Sequence, residues 1–177
     1  MTTNHSRILA ILSAILVAAV LRLVPHPPNF TPIAAMALFS GAYFGGRALA
    51  LAAPLAALLL SDLLIGFYPE AIFVYVSVAA TVLIGCLLAN RRTMLRVGAA
   101  ALASSVLFFI VTNLGVWLMM NYYPKTPGGL AACYVAAIPF FQNTVAGDLF
   151  YAVLLFGGFK VAELLMPRLR AAEPQAA

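Results

Sequence analysis

Apolar residues fill this chain in long runs broken at a few short polar points, and the breaks set the elements. The first run, 9–24, stops at Pro25-His26-Pro27-Pro28, where proline lacks the backbone donor and clashes with the preceding turn. The second, 31–44, carries Pro32 in its first turn, where a helix tolerates it. Gly45-Gly46-Arg47 turns into a third run, 48–67, and Tyr68-Pro69-Glu70 into a fourth, 71–90. A basic loop from Arg91 to Arg96 precedes a fifth, 97–120, and the longest connection, 121–129, holds Pro124, Pro127 and two glycines. Residues 130–141 are apolar but interrupted by Pro139. They are expected to form a half-helix or re-entrant cap, leaving the last helix at 142–165.

Runs of about 20 apolar residues are membrane-span lengths, and they lack the roughly ten-residue alternation of barrel strands. Composition agrees: 64% of the 177 residues are hydrophobic and 8% charged, against about 25% charged in a soluble domain. The predicted fold is an all-α integral membrane protein, one domain over 1–177, a bundle of about six transmembrane helices with the lipid bilayer around it. Arg7 followed by the first run also resembles a signal peptide. No small-residue cleavage site follows, so the segment is expected to remain as the first helix.

The net charge of +5 does not imply nucleic acid, because its distribution follows the positive-inside rule. With the first helix starting inside, Arg7, Arg47, Arg91, Arg92, Arg96, Lys160, Arg168 and Arg170 gather on one side; Arg22 and Lys125 lie on the other. Both termini are therefore expected to be cytoplasmic, in a cell inner (plasma) membrane crossed several times.

Against that orientation four polar residues stand out. At about 1.5 Å rise per residue, Arg22 lies about 3 Å below the outer end of its helix. Asp62 lies about 8 Å, and Asn113 and Asp148 about 10 Å, below the ends of theirs. Ionisable groups inside spans are costly and mark functional sites by default. Phe109, Asn113 and Trp117 share one helical stripe, and Thr144, Asp148 and Tyr151 another. Arg22, Asn29, Asp62, Tyr75, Asn113, Trp117, Asn143, Asp148 and Tyr151 are the candidate ligand-binding residues, with His26, Tyr123 and Tyr134 placed to close over them. The competing reading is a permanent network: Arg22 paired with Asp62 or Asp148, pinning helices and leaving one carboxylate unmatched. Asn113 can equally be interhelical glue, and Trp117 an interfacial anchor. Lys160 and Glu163, three residues apart, read as a local surface pair.

Ala10, Ala14 and Ala18 form a small-residue stripe suited to close helix contact, within the chain or with a partner; Ala37, Gly41 and Gly45 form a second. Pro54 is expected to kink the third helix and help open a cavity below Asp62. Cys86 and Cys133 lie in separate segments with no metal spacing. No nucleotide loop, Ser–His–Asp set or paired-histidine motif occurs, so neither an enzyme, a metal nor a cofactor is expected. The absence of an evident repeat between the halves disfavours an inverted-repeat carrier.

The stretch from Pro25 to Ala42, Ser61-Asp62-Leu63, Thr112-Asn113-Leu114-Gly115-Val116-Trp117 and the run from Cys133 to Asp148 resemble a group of small, uncharacterised bacterial membrane proteins. The six helices, the glycine-bearing second helix and the Asp late in the third are also similar to the substrate-binding (S) subunit of energy-coupling-factor vitamin transporters. That resemblance implies a ligand near the outer face, under the loops joining helices 1–2, 3–4 and 5–6. It further implies that the Ala10/Ala14/Ala18 stripe contacts a membrane coupling subunit driven by separate ATPases. The expected function is capture of a small vitamin or micronutrient solute for uptake. The alternative is a structural or assembly subunit whose polar cluster is interhelical glue.

Overall fold

The computed structural model describes residues 5–170. Its helices are α1 (His5–Leu21), α2 (Ile33–Tyr43), α3 (Arg47–Ile65), α4 (Ala71–Cys86), α5 (Met94–Met119) and α6 (Pro127–Leu165), with a closing 3-10 turn at Pro167–Leu169. Helices α3, α5 and α6 are long and apolar enough to cross a membrane, which points to membrane association. The remaining three are shorter apolar helices. Leu64, Leu87, Leu95 and Leu165 are each at least three-quarters exposed, on an outer surface rich in large apolar side chains. The predicted sidedness of the two chain ends falls on residues 1–4 and 171–177, outside the described residues.

The bundle is built around its shortest member. All eleven residues of α2 are buried, and α1, α3, α4, α5 and α6 all pack against it. Eleven residues rise only about 16 Å, roughly half a bilayer core. Amphipathic patterning is therefore absent from α2: every face meets another helix, so every position is apolar or small. Its closest neighbour is α4. A Cβ on Gly41 would lie 2.1 Å from the Val82 carbonyl oxygen, and one on Gly85 would lie 2.4 Å from that of Leu38. The two backbones touch directly, and this is where the expected close approach of the Ala37/Gly41/Gly45 stripe is made; Gly45 itself faces open space.

Helix ends are closed by both local and long-range side chains. Thr93 caps α5, accepting from the Arg96 amide at 3.4 Å, so α5 starts at Met94 rather than 97. α4 stops at Cys86, short of the expected 90, and the chain turns so that Arg92 donates to the carbonyls of Ala42 (2.6 Å) and Ala89 (2.9 Å). That guanidinium closes the C-terminal end of α2, where a cation is favoured, and lies 4.4 Å above the Tyr43 ring. Glu163 pairs with Arg7 of α1 at 2.7 Å, so the local Lys160–Glu163 surface pair gives way to a tie between the first and last helices.

The expected half-helix at 130–141 and separate helix at 142–165 are corrected: α6 runs unbroken from Pro127 to Leu165, with Pro139 inside it and a π-helical turn at Val153–Gly157. Proline removes one intrahelical bond, but α5 grips α6 on the N-terminal side of Pro139 and next to it. Cys133 Sγ and the Tyr134 hydroxyl reach the carbonyls of Asn113 (3.5 Å) and Ile110 (2.7 Å), while Phe109 packs against Phe141 with centroids 4.9 Å apart. With both sides held, one lost hydrogen bond does not end the helix.

Pro54 works similarly in α3. It cannot donate to the carbonyl four residues back, that of Ala50, and the fully buried Ser40 hydroxyl takes that acceptor at 2.6 Å. Pro54 does not line the large chamber described below. Ser40→Ala should leave Ala50 unsatisfied and cost about 1–3 kcal/mol. Denaturant unfolding in detergent micelles checks this, with Ser13→Ala, on the exposed face of α1, as reference.

Candidate functional site

Position of the site begins with the α1–α2 connection. The chain leaves α1 through turn bonds from the Arg22 and Leu23 amides to Ala19 and Val20, and Asn29 adopts φ 63°, a left-handed conformation that asparagine tolerates. The loop is strapped to α6 at three points. Asn143 Nδ2 donates to the Pro28 carbonyl at 3.0 Å. Phe30 packs against the rings of Phe150 and Tyr151, 5.8 and 5.7 Å between centroids. Gly147 has no side chain where a Cβ would meet Phe30 Cα at 3.1 Å.

Beneath this strap lies a cavity of about 750 Å³. The loop contributes Arg22, His26, Asn29 and Thr31, and the first turn of α2 contributes Ile33 and Ala34. The end of α3 and the α3–α4 turn add Tyr68 and Glu70. Phe108, Phe109, Thr112 and Asn113 come from α5, and Thr144 and Asp148 from α6. The short α2 thus borders the space only through its first turn.

The polar residues divide into two groups with different work. Arg22 Nη1 meets Asp62 Oδ1 at 2.6 Å and also bonds Ser61, while the Tyr75 hydroxyl donates to Asp62 Oδ2 at 2.9 Å. Asp62 is fully buried and the Arg22 side chain 10% exposed. Every part of this triad has a partner, and it ties the end of α1 to α3 and α4. Only Arg22 reaches the cavity; Asp62 and Tyr75 stand behind it. Asp148, 3% exposed, faces the cavity from α6. Its Oδ2 accepts from Ser105 at 2.6 Å, and no cation pairs with it among the described residues. Arginine has chosen between two carboxylates, and the one left over lines the chamber.

Of the nine expected ligand residues, Arg22, Asn29, Asn113 and Asp148 line the cavity together. Asn113 turns its amide nitrogen to the Phe109 carbonyl at 2.8 Å. Asn143 and Tyr151 secure the strap. Trp117 is corrected too: its indole donates to Pro124 at 2.9 Å and lies 5.7 Å from the Lys125 ammonium, holding the α5–α6 loop rather than the chamber. Tyr134 bonds α5, and neither it nor Tyr123 lines the cavity. In the Ala10/Ala14/Ala18 stripe, Ala18 is 2% exposed within the chain's own core, and Ala10 and Ala14 are partly buried against it.

Sequence reasoning passed over Tyr68, Glu70, Phe108 and Thr112. The signal for the last two was present: Phe108, Thr112 and Val116 form a second four-residue stripe beside that of Phe109 and Asn113. Burial, with the Asp62 charge adding to it and Arg22 opposing, raises the Tyr68 phenol above its ordinary value. It remains a hydroxyl able to donate at the chamber wall.

A family model described as a family of unknown function, DUF6580, matches residues 2–169, nearly the whole chain. The chain belongs to this family. No curated protein and no solved structure matches it. The family span takes in the strap, the triad and every residue of the chamber, so the site is part of the DUF6580 region itself.

Proposed function

We propose that this protein is a membrane-embedded binding protein for a small solute, most simply the substrate-capture subunit of a vitamin or micronutrient uptake system. The observation that supports this is the polar-lined chamber of about 750 Å³ in an otherwise closely packed bundle, a volume within the roughly 300–1,000 Å³ of small-molecule sites. Eight of the ten basic side chains lie toward the opposite helix ends, so under the positive-inside rule the chamber opens to the outside. The chain carries no nucleotide-binding loop, and separate ATPases acting through a membrane coupling subunit would supply energy.

Thr112→Phe tests the reading. Thr112 lines the chamber and its hydroxyl bonds only the Phe108 carbonyl of its own helix, so a larger ring should fill the space without breaking a tie between helices. Mass spectrometry of small molecules released from the purified protein is expected to find a solute on the wild type and at least about tenfold less on the folded variant. Equal amounts on both, or none on either, would favour the assembly-subunit reading.

A further inference from the structure

Charge around the chamber is unbalanced. Arg22 is the one lysine or arginine among the lining residues, and its charge is already matched by Asp62. Two lining carboxylates remain. Asp148 gives one oxygen to Ser105, and its other accepts no hydrogen bond from the described residues although the side chain is 97% withdrawn from solvent. Glu70, on the α3–α4 turn, has a buried Oε2 with no partner among the described residues. A buried carboxylate without a cation is costly, and it is relieved either by a proton or by a counter-charge from elsewhere.

One internal source of relief is the N-terminal end of α2, whose first turn lines the same chamber. It supplies about half a positive charge, which leaves the lining net negative. A metal ion does not fit the donors: no group of three or more His, Cys, Asp or Glu occurs among the described residues. Among the aliphatic side chains of the lining stand four aromatic rings, Phe108 and Phe109 from α5, Phe140 from α6 and Tyr68 from the turn. A carboxylate and aromatic rings lining one chamber are the groups that hold an organic ammonium or a charged nitrogen heterocycle.

Resting on the solute-binding reading above, we infer that the solute is a small organic cation. Its charged nitrogen pairs with Asp148, and its flat or alkyl portion lies along Phe108 and Phe109. Ser105 is a positioning residue: its hydroxyl occupies one carboxylate oxygen and leaves the other to the ligand.

The test uses the full-length protein purified from the membranes of expressing cells, with those cells' total small-molecule extract as the probe. Wild type, Asp148→Asn, Asp148→Glu and the chamber-filling Thr112→Phe are incubated with it, washed, and their bound species identified by mass spectrometry. The expected result is a species with a permanent or protonated nitrogen charge, enriched on wild type, reduced at least tenfold by Asp148→Asn and largely retained by Asp148→Glu. A neutral or anionic species displaced by Thr112→Phe would overturn the cation inference and leave solute binding standing, and a cation held equally by Asp148→Asn would overturn its pairing with Asp148. No species enriched over Thr112→Phe would overturn both. Should Asp148→Asn not fold, the charge of the species on wild type decides by itself.

Discussion

Replacing Arg22 by Met is expected to destabilise the protein by about 3–5 kcal/mol, among the largest effects of any single side chain here. The loss would not come from the attraction removed so much as from the group left behind. Asp62 is fully buried, its carboxylate accepts from Arg22 and Tyr75, and without the guanidinium it becomes an uncompensated buried charge. Asp62→Leu should cost less, because Arg22 borders the chamber and can turn its charge toward it. The double variant should recover most of the loss, since two apolar groups of similar size restore neutrality. Unfolding of the four proteins in detergent micelles, read as a double-mutant cycle, measures this directly. Additive losses would mean that the two side chains act through packing alone, and that the triad is not what joins α1 to α3 and α4.

The second large effect is expected at the crossing of α2 and α4. Gly41→Ala places a methyl 2.1 Å from the Val82 carbonyl oxygen, and Gly85→Ala places one 2.4 Å from that of Leu38. In both cases the obstacle is backbone, so no side chain can rotate away. Overpacking commonly costs about 1–3 kcal/mol, and helices held on every side should bring these two variants to the upper end or beyond. Gly98→Ala is the control: it lies in α5, a Cβ there meets nothing within 4 Å, and alanine should stabilise the helix by up to about 1 kcal/mol. Folded yield and melting temperature in detergent separate the three. A Gly41→Ala protein as stable as Gly98→Ala would show that α2 and α4 do not touch backbone to backbone.

The candidate site was partly legible from residue types alone. Arg22, Asp62, Asn113 and Asp148 stand out because charged and amide groups are rare in apolar runs, and their distances from helix ends put them at one level. That argument supplies depth but not direction. It leaves open whether Arg22 takes Asp62 or Asp148, because either carboxylate is reachable along the bundle axis. The answer lies in how α1 is rotated against α3. Trp117 and Tyr151 share helical stripes with true lining residues, yet they sit one or two turns away, where the partner facing them is a loop. Phe108 and Thr112 went unnoticed for the converse reason: nothing in their chemistry separates them from ordinary helix residues until a void is seen beside them.

Helix number and position follow from the sequence because each apolar run must satisfy its own backbone hydrogen bonds, a requirement local to the run. The proline and glycine breaks between runs are equally local. Pro139 shows where local reasoning fails: it looks like a break, and contacts from α5 carry the helix through. The central place of α2, the fate of the Ala50 carbonyl, the inward turn of the alanine stripe and the division of the polar cluster into triad and chamber were decided only in three dimensions. Each depends on the rotation and height of one helix against another. Those are set by direct contacts such as Gly41 on Val82 and Gly147 on Phe30, between residues far apart in the chain, and no periodicity within a single run records them.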